Sequence, residues 1–157
     1  MNFRAKITAI CLITAGGFVV SVAVRAQSPA PLAPPASKTT WDGVYTEAQA
    51  KAGEFSYKSY CVECHGEDLA GREQAPALAG PEFVQKWNKA TLKKLVDTLE
   101  AMPPDNPKSL TAKQYTEVAA YILNANEFPA GKNALPEDRS ILSGIQILGN
   151  RPDQTPR

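Results

Sequence analysis

Cys61-Val62-Glu63-Cys64-His65 constrains this chain more than any other stretch. Two thiols three residues apart, followed at once by an imidazole, suit few chemistries. A thioredoxin-type redox pair uses the same C-x-x-C spacing, but within a strand-helix-strand pattern that this sequence does not show. A structural zinc ion takes about four Cys or His ligands. The 157-residue chain has three cysteines and one histidine, and Cys11 falls in an apolar N-terminal run expected to be removed. Three such ligands remain, packed into five residues, with no fourth. The reading that uses all three is covalent attachment of a c-type haem. The two thiols add across the two vinyl groups of one porphyrin, and the next residue brings an imidazole nitrogen beneath the iron. A redox disulfide and a metal site are the alternatives.

A second axial ligand can be sought by counting. The chain has two methionines, of which Met1 is the initiator. Met102 lies 37 residues after His65, in Glu100-Ala101-Met102-Pro103-Pro104. Pro103 disfavours helical backbone at the residue before it, so Met102 is expected to end a helix and open a loop. Methionine most often fills gaps in a core. At a helix end against two prolines, downstream of a haem with a single histidine, it is expected instead to give the iron a thioether, which favours Fe(II) and raises the potential.

The N-terminus reads as an export signal. Arg4 and Lys6 precede an apolar run from Ile7 to Val24, and Val24-Arg25-Ala26 resembles a small-x-small cleavage site before Gln27. The run over residues 7–24 is long for a signal, and if retained it would serve as a membrane anchor. In either case the remainder is expected in the periplasm. Three of the seventeen basic residues and none of the sixteen acidic ones lie in residues 1–26, so the rest carries a net charge of −2. That balance argues against a nucleic-acid binder. Residues 27–40 contain four prolines and read as a semi-rigid spacer. Residues 41–135 are expected to form the haem domain, and residues 136–157 a C-terminal extension.

Within the domain the apolar periodicity is helical. A first helix is expected over Thr46–Tyr60, with Ala48, Ala52, Phe55 and Ser59 as its buried stripe and Gly53 marking close approach by another helix. A short helix follows from Pro81 or Glu82 to Asn88, with Phe83 and Trp87 on one face. The next runs over Leu92–Ala101 with Leu92, Leu95, Val96 and Leu99 as its stripe and Thr91 as cap. The last starts at Thr111, where Thr111 and Gln114 form a capping box, and ends near 124–126. The tail is expected to wrap the domain or to form a short helix around Ile141–Leu148, with disordered final residues. Between the haem pentad and Gly80, Pro76 offers a carbonyl to the second ring nitrogen of His65, Leu78 an apolar contact to a porphyrin, and Trp87 an N–H to a propionate. Lys86, Lys89, Lys93 and Lys94 form a solvated face or a surface that steers an acidic partner.

Residues 45–135 resemble the single-haem class I c-type cytochromes. The resemblance rests on Cys61–His65 followed by Gly66, Pro76-x-Leu78, Phe83, Trp87 and Met102-Pro103-Pro104. The ending Tyr121-Ile122-Leu123 and Phe128-Pro129-Ala130-Gly131 is similar to a bacterial subgroup found with quinoprotein dehydrogenases and in respiratory chains. Two positions depart from the pattern: Lys108 follows Pro107, and Glu127 follows Asn126, where the family often has glycine. The resemblance implies an all-α fold of about four to five helices around one haem c. It implies that the first and last helices cross near Gly53, Tyr57 and Tyr121, and that the Pro76 carbonyl holds His65. Cys61, Cys64, His65, Met102, Pro76, Leu78 and Trp87 are the expected haem residues, with His65 and Met102 on the iron. The implied activity is one-electron transfer, with a dehydrogenase as donor and an oxidase or another cytochrome as acceptor, and no catalysis by the chain alone. The other readings are a haem subunit of a quinoprotein dehydrogenase complex, and a ligand-binding or sensing haem if Met102 is labile.

Overall fold

The computed structural model describes residues 38–73 and 75–152. The export segment or anchor over 1–26, most of the proline-rich spacer and the final residues lie outside the described residues. The described part is helical: α1 (Glu47–Tyr60), α2 (Val62–His65), α3 (Pro81–Trp87), α4 (Leu92–Glu100), α5 (Ala112–Ala125) and α6 (Arg139–Ser143). Two short strands, β1 (Lys38–Thr39) and β2 (Ile145–Gln146), pair in parallel. Among the described residues this is the all-α class I cytochrome c arrangement, with α2 as a single turn carrying the thiol-imidazole motif.

The helix starts follow their caps. The side chains of Thr46, Thr91 and Thr111 accept from Gln49, Lys94 and Gln114 backbone N–H groups, and Gln114 returns a bond to Thr111 to close the capping box. Each cap satisfies donors that a helix start leaves unpaired. On α4, Leu92, Leu95 and Val96 are buried as the stripe requires, and Leu99 is half-buried. On α5, Tyr115, Val118, Ala119 and Ile122 are buried, with Leu123 extending the face.

On α1 the expected stripe is wrong. The buried residues are Ala50, Gly53, Ser56 and Tyr57, while Phe55 is 76% exposed. Backbone contact chose the face. A Cβ on Gly53 would lie 1.8 Å from the Glu117 carbonyl oxygen on α5. No side chain fits there, so the glycine edge turns inward and Phe55, on another side of the helix, faces water. Tyr57 packs beside the crossing with its ring 5.3 Å from that of Tyr121.

Residues 139–147 join the core. α6 packs on α4, and Leu142, Ile145 and Ile147 are buried. Burying each such side chain contributes roughly 1.5–3 kcal/mol. The expected helix around Ile141–Leu148 is shorter and earlier, because the chain turns at Gly144 into β2. There it meets the end of the proline-rich stretch: Lys38 pairs with Ile145 and Thr39 with Gln146. Ile147 exchanges hydrogen bonds with Lys89 and Ala90 at 2.7 and 2.8 Å, and Trp41 Nε1 donates to the Leu148 carbonyl at 2.8 Å. The two ends of the domain are thus fastened to each other and to the turn after Trp87.

Both departures from the glycine pattern adopt left-handed backbone, Lys108 at φ 57° and Glu127 at φ 62°. Glu127 sits just beyond α5. Phe128 N donates to Leu123 O at 3.1 Å and Glu127 N to Asn124 O at 2.9 Å, the paired bonds of a Schellman stop. A side chain there costs about 1 kcal/mol relative to glycine. Glu127→Gly is expected to raise the melting temperature by roughly 2–5 °C. Gly53→Ala is expected to destabilise the fold by about 2–3 kcal/mol in urea titration, even though alanine favours helix by about 1 kcal/mol.

Candidate functional site

The motif sits at the C-terminal end of α1. Cys61 caps α1, with its N–H on Tyr57 O at 2.8 Å, and α2 then carries Cys64 and His65 onto the lining of a cavity. Gly66 follows at φ 79°, and the buried Tyr57 hydroxyl donates to the Gly66 carbonyl at 2.6 Å. Burial pushes the Tyr57 phenol well above its ordinary pKa, so it stays a neutral donor. The inter-helix crossing therefore reaches the motif through one residue: Tyr57 packs at the crossing and bonds just past His65.

The loop from Gly66 to Gly80 folds back under His65. Gly71 N donates to His65 O at 3.0 Å, Arg72 and Ala75 exchange backbone bonds at 3.1 and 2.7 Å, and Leu78 N donates to Leu69 O at 2.8 Å. These bonds bring the Pro76 carbonyl oxygen 2.9 Å from His65 Nδ1. A carbonyl can only accept, so Nδ1 carries the proton and Nε2 keeps the lone pair. A metal-binding histidine needs this arrangement, since the outer contact sets both tautomer and ring orientation.

Asn126, which the sequence reading noted only as the residue before Glu127, holds the far end of this loop. Its side chain donates to Leu78 O at 2.9 Å and accepts from Gly80 N at 3.0 Å. An asparagine at a helix terminus usually serves its own backbone, so nothing local marks it as a bracket between α5 and a loop 46 residues earlier.

A cavity of about 380 Å³ opens above the motif. All seven residues singled out from sequence, namely Cys61, Cys64, His65, Pro76, Leu78, Trp87 and Met102, lie on its lining. Leu95 and Leu99 of α4, Tyr115 and Val118 of α5, and Leu110 from the loop between them add apolar walls. Met102 follows α4, its N–H on Leu99 O at 3.0 Å, and is 41% exposed. Lys86 also lines the cavity, and its ammonium lies 5.8 Å from the Trp87 ring.

The donor set fits a haem. Both thiols are free, the imidazole offers one oriented lone pair, a thioether stands on the same lining, and the walls are apolar. A dithiol redox centre fits less well. Reactive cysteines have lowered pKa values, whereas burial, with Cys64 adding to it, pushes the Cys61 thiol up to about 11. The pair also stands on a helix junction, away from both described strands. Among the described residues no group of three or more His, Cys, Asp or Glu side chains is disposed to hold a metal ion. No described helix is long and apolar enough to cross a membrane.

Residues 48–122 match the family described as "Cytochrome C oxidase, cbb3-type, subunit III". No curated protein and no solved structure matches the chain. The matched segment begins in α1 and ends in α5, and so includes the thiol-imidazole motif, the Pro76 loop and the Met102 turn. An all-α fold, a cavity above Cys61–His65 and a family match that spans the whole lining of that cavity lead to one assignment: residues 48–122 carry a class I c-type cytochrome domain, of a family of haem-based electron transfer.

Proposed function

We propose that the chain is an exported, periplasmic one-electron carrier with a single haem c. In this reading Cys61 and Cys64 hold the porphyrin as thioethers, and His65 Nε2 and Met102 Sδ hold the iron. The observation that carries it is the shared cavity, whose lining has the two thiols and the oriented imidazole together with the thioether. When bound, the group supplies the Fe(III)/Fe(II) couple. The protein's part is to fix both ligands, to exclude water with Leu78, Leu95, Leu99 and Val118, and to keep the cavity apolar. An apolar site penalises the charged ferric centre, and a neutral thioether acts in the same direction.

With both axial positions filled, no substrate reaches the iron, so the chain by itself is a carrier and not an enzyme. The family match supports respiratory partners: a dehydrogenase as donor, and an oxidase or second cytochrome as acceptor. Membership of a quinoprotein dehydrogenase complex is a narrower form of the same reading. The lysines near α3 and α4 suit an acidic partner surface, although Lys93 is partly used by Asp97 at 2.7 Å.

The exposure of Met102 favours a second reading, a ligand-binding or sensing haem whose sixth position opens. One set of measurements separates them. Oxidised protein matured with a haem-attachment system is expected to show a weak far-red sulfur-to-iron band, and the reduced protein to resist carbon monoxide at neutral pH. Met102→Ala is expected to keep the covalent haem, abolish the band, admit carbon monoxide and lower the potential by on the order of 0.1 V or more, within the roughly 0.8 V that axial ligands span. Wild-type protein that lacks the band and binds carbon monoxide readily would establish the sensing reading instead.

A further inference from the structure

Arg139 is the one charged residue of α6, and it reaches across to α4. Its Nη2 donates to the Glu100 carboxylate, and its Nε lies 3.5 Å from Asp97 Oδ1. Asp138 caps α6 by accepting from Ser140 N at 2.8 Å, and Leu142 is buried one turn on, so the arginine is presented from a fixed platform. Glu100 is the last residue of α4, and its carbonyl accepts from Lys108 N at 2.8 Å. The loop carrying Met102 therefore leaves from Glu100 and returns to Glu100.

Arg139 also holds a donor in reserve. Its Nη1 is buried and has no hydrogen-bond partner. An unsatisfied buried donor costs stability, and an apolar residue could cover α4 without that cost. A planar guanidinium can grip two carboxylates one helical turn apart, as a lysine cannot. The geometry suits a clamp on the end of α4 better than a space-filling contact.

We infer that Arg139 is a positioning residue for Met102: by holding Glu100 and Asp97 it fixes both ends of the 101–108 loop and so keeps the thioether at the iron. This rests on the reading of Met102 as the axial ligand. It assigns a role in the haem site to a residue beyond the family match, which ends at residue 122.

The test uses full-length haem-loaded protein. Arg139→Gln is expected to keep its covalent haem and helical content. Its reduced form is expected to bind carbon monoxide roughly three- to tenfold faster than wild type, and its far-red band to weaken. Arg139→Lys should fall between. Glu100→Gln, which leaves the arginine and its platform intact, should shift both readouts in the same direction. A clamp that served stability alone would lower the melting temperature and leave carbon monoxide binding and the band at wild-type values; that result overturns the inference. Should Arg139→Gln fail to mature, Glu100→Gln decides, and wild-type behaviour there also overturns it. Met102→Ala is the control. If it matches wild type in both readouts, the ligand reading fails and the clamp with it; if Met102→Ala differs while the Arg139 and Glu100 variants do not, only the clamp fails.

Discussion

The backbone contact between α1 and α5 at Gly53 is the constraint on which the haem site depends. Two helices pressed this close cannot slide or rotate without collision, because backbone atoms, unlike side chains, have no alternative rotamers. The contact fixes the axis of α1 and hence the position where that helix delivers Cys61. Tyr57 carries the same constraint further, from the crossing to Gly66 by one buried bond. Eight positions, about two helical turns, separate Gly53 from Cys61, so the motif inherits the rigidity of the helix pair.

The rest of the site is built by backbone carbonyls. Pro76 orients His65, Leu78 is held by Asn126, and the loop carrying Met102 closes on Glu100. In each of these the acceptor is a neutral backbone carbonyl. Such a scaffold keeps its form through changes of charge at its centre, as a site that alternates between two oxidation states requires. The exposed ion pairs, Glu54–Lys58 and Lys93–Asp97, lie outside it, where solvent screens them, and the half-buried Arg139–Glu100 pair meets it only at the end of α4.

Much of this was legible in the chain. The motif and the stripe of α4 can be read because each rests on local spacing. So can the caps at Thr91 and Thr111, and the use of Gly53. The α1 face was misread because Ala48, Ala52 and Phe55 repeat at helical spacing as well as the true face does, and a glycine adds nothing to an apolar stripe. The correct face could have been deduced by giving Gly53 precedence over Phe55. Asn126, Arg139 and the β1–β2 pair were not legible, since each acts across tens of residues and leaves no periodic trace. The left-handed turns at Lys108 and Glu127 lay in between. The missing glycines were visible, but a lysine and a glutamate do not themselves announce positive φ.

The parallel pairing of β1 with β2 bears on how the domain comes into being. Trp41 and Leu148 are joined across 107 positions of sequence, so the first part of the domain to emerge must wait for nearly the last. Until residues 139–147 arrive, the outer side of α4 lies open, and with it the turn from which Met102 hangs. The haem motif, by contrast, stands in the first half and can be presented long before closure. The order of synthesis thus separates two events that the finished molecule shows together: the thiol-imidazole motif appears early, and the fastening of the cavity's second wall comes at the end.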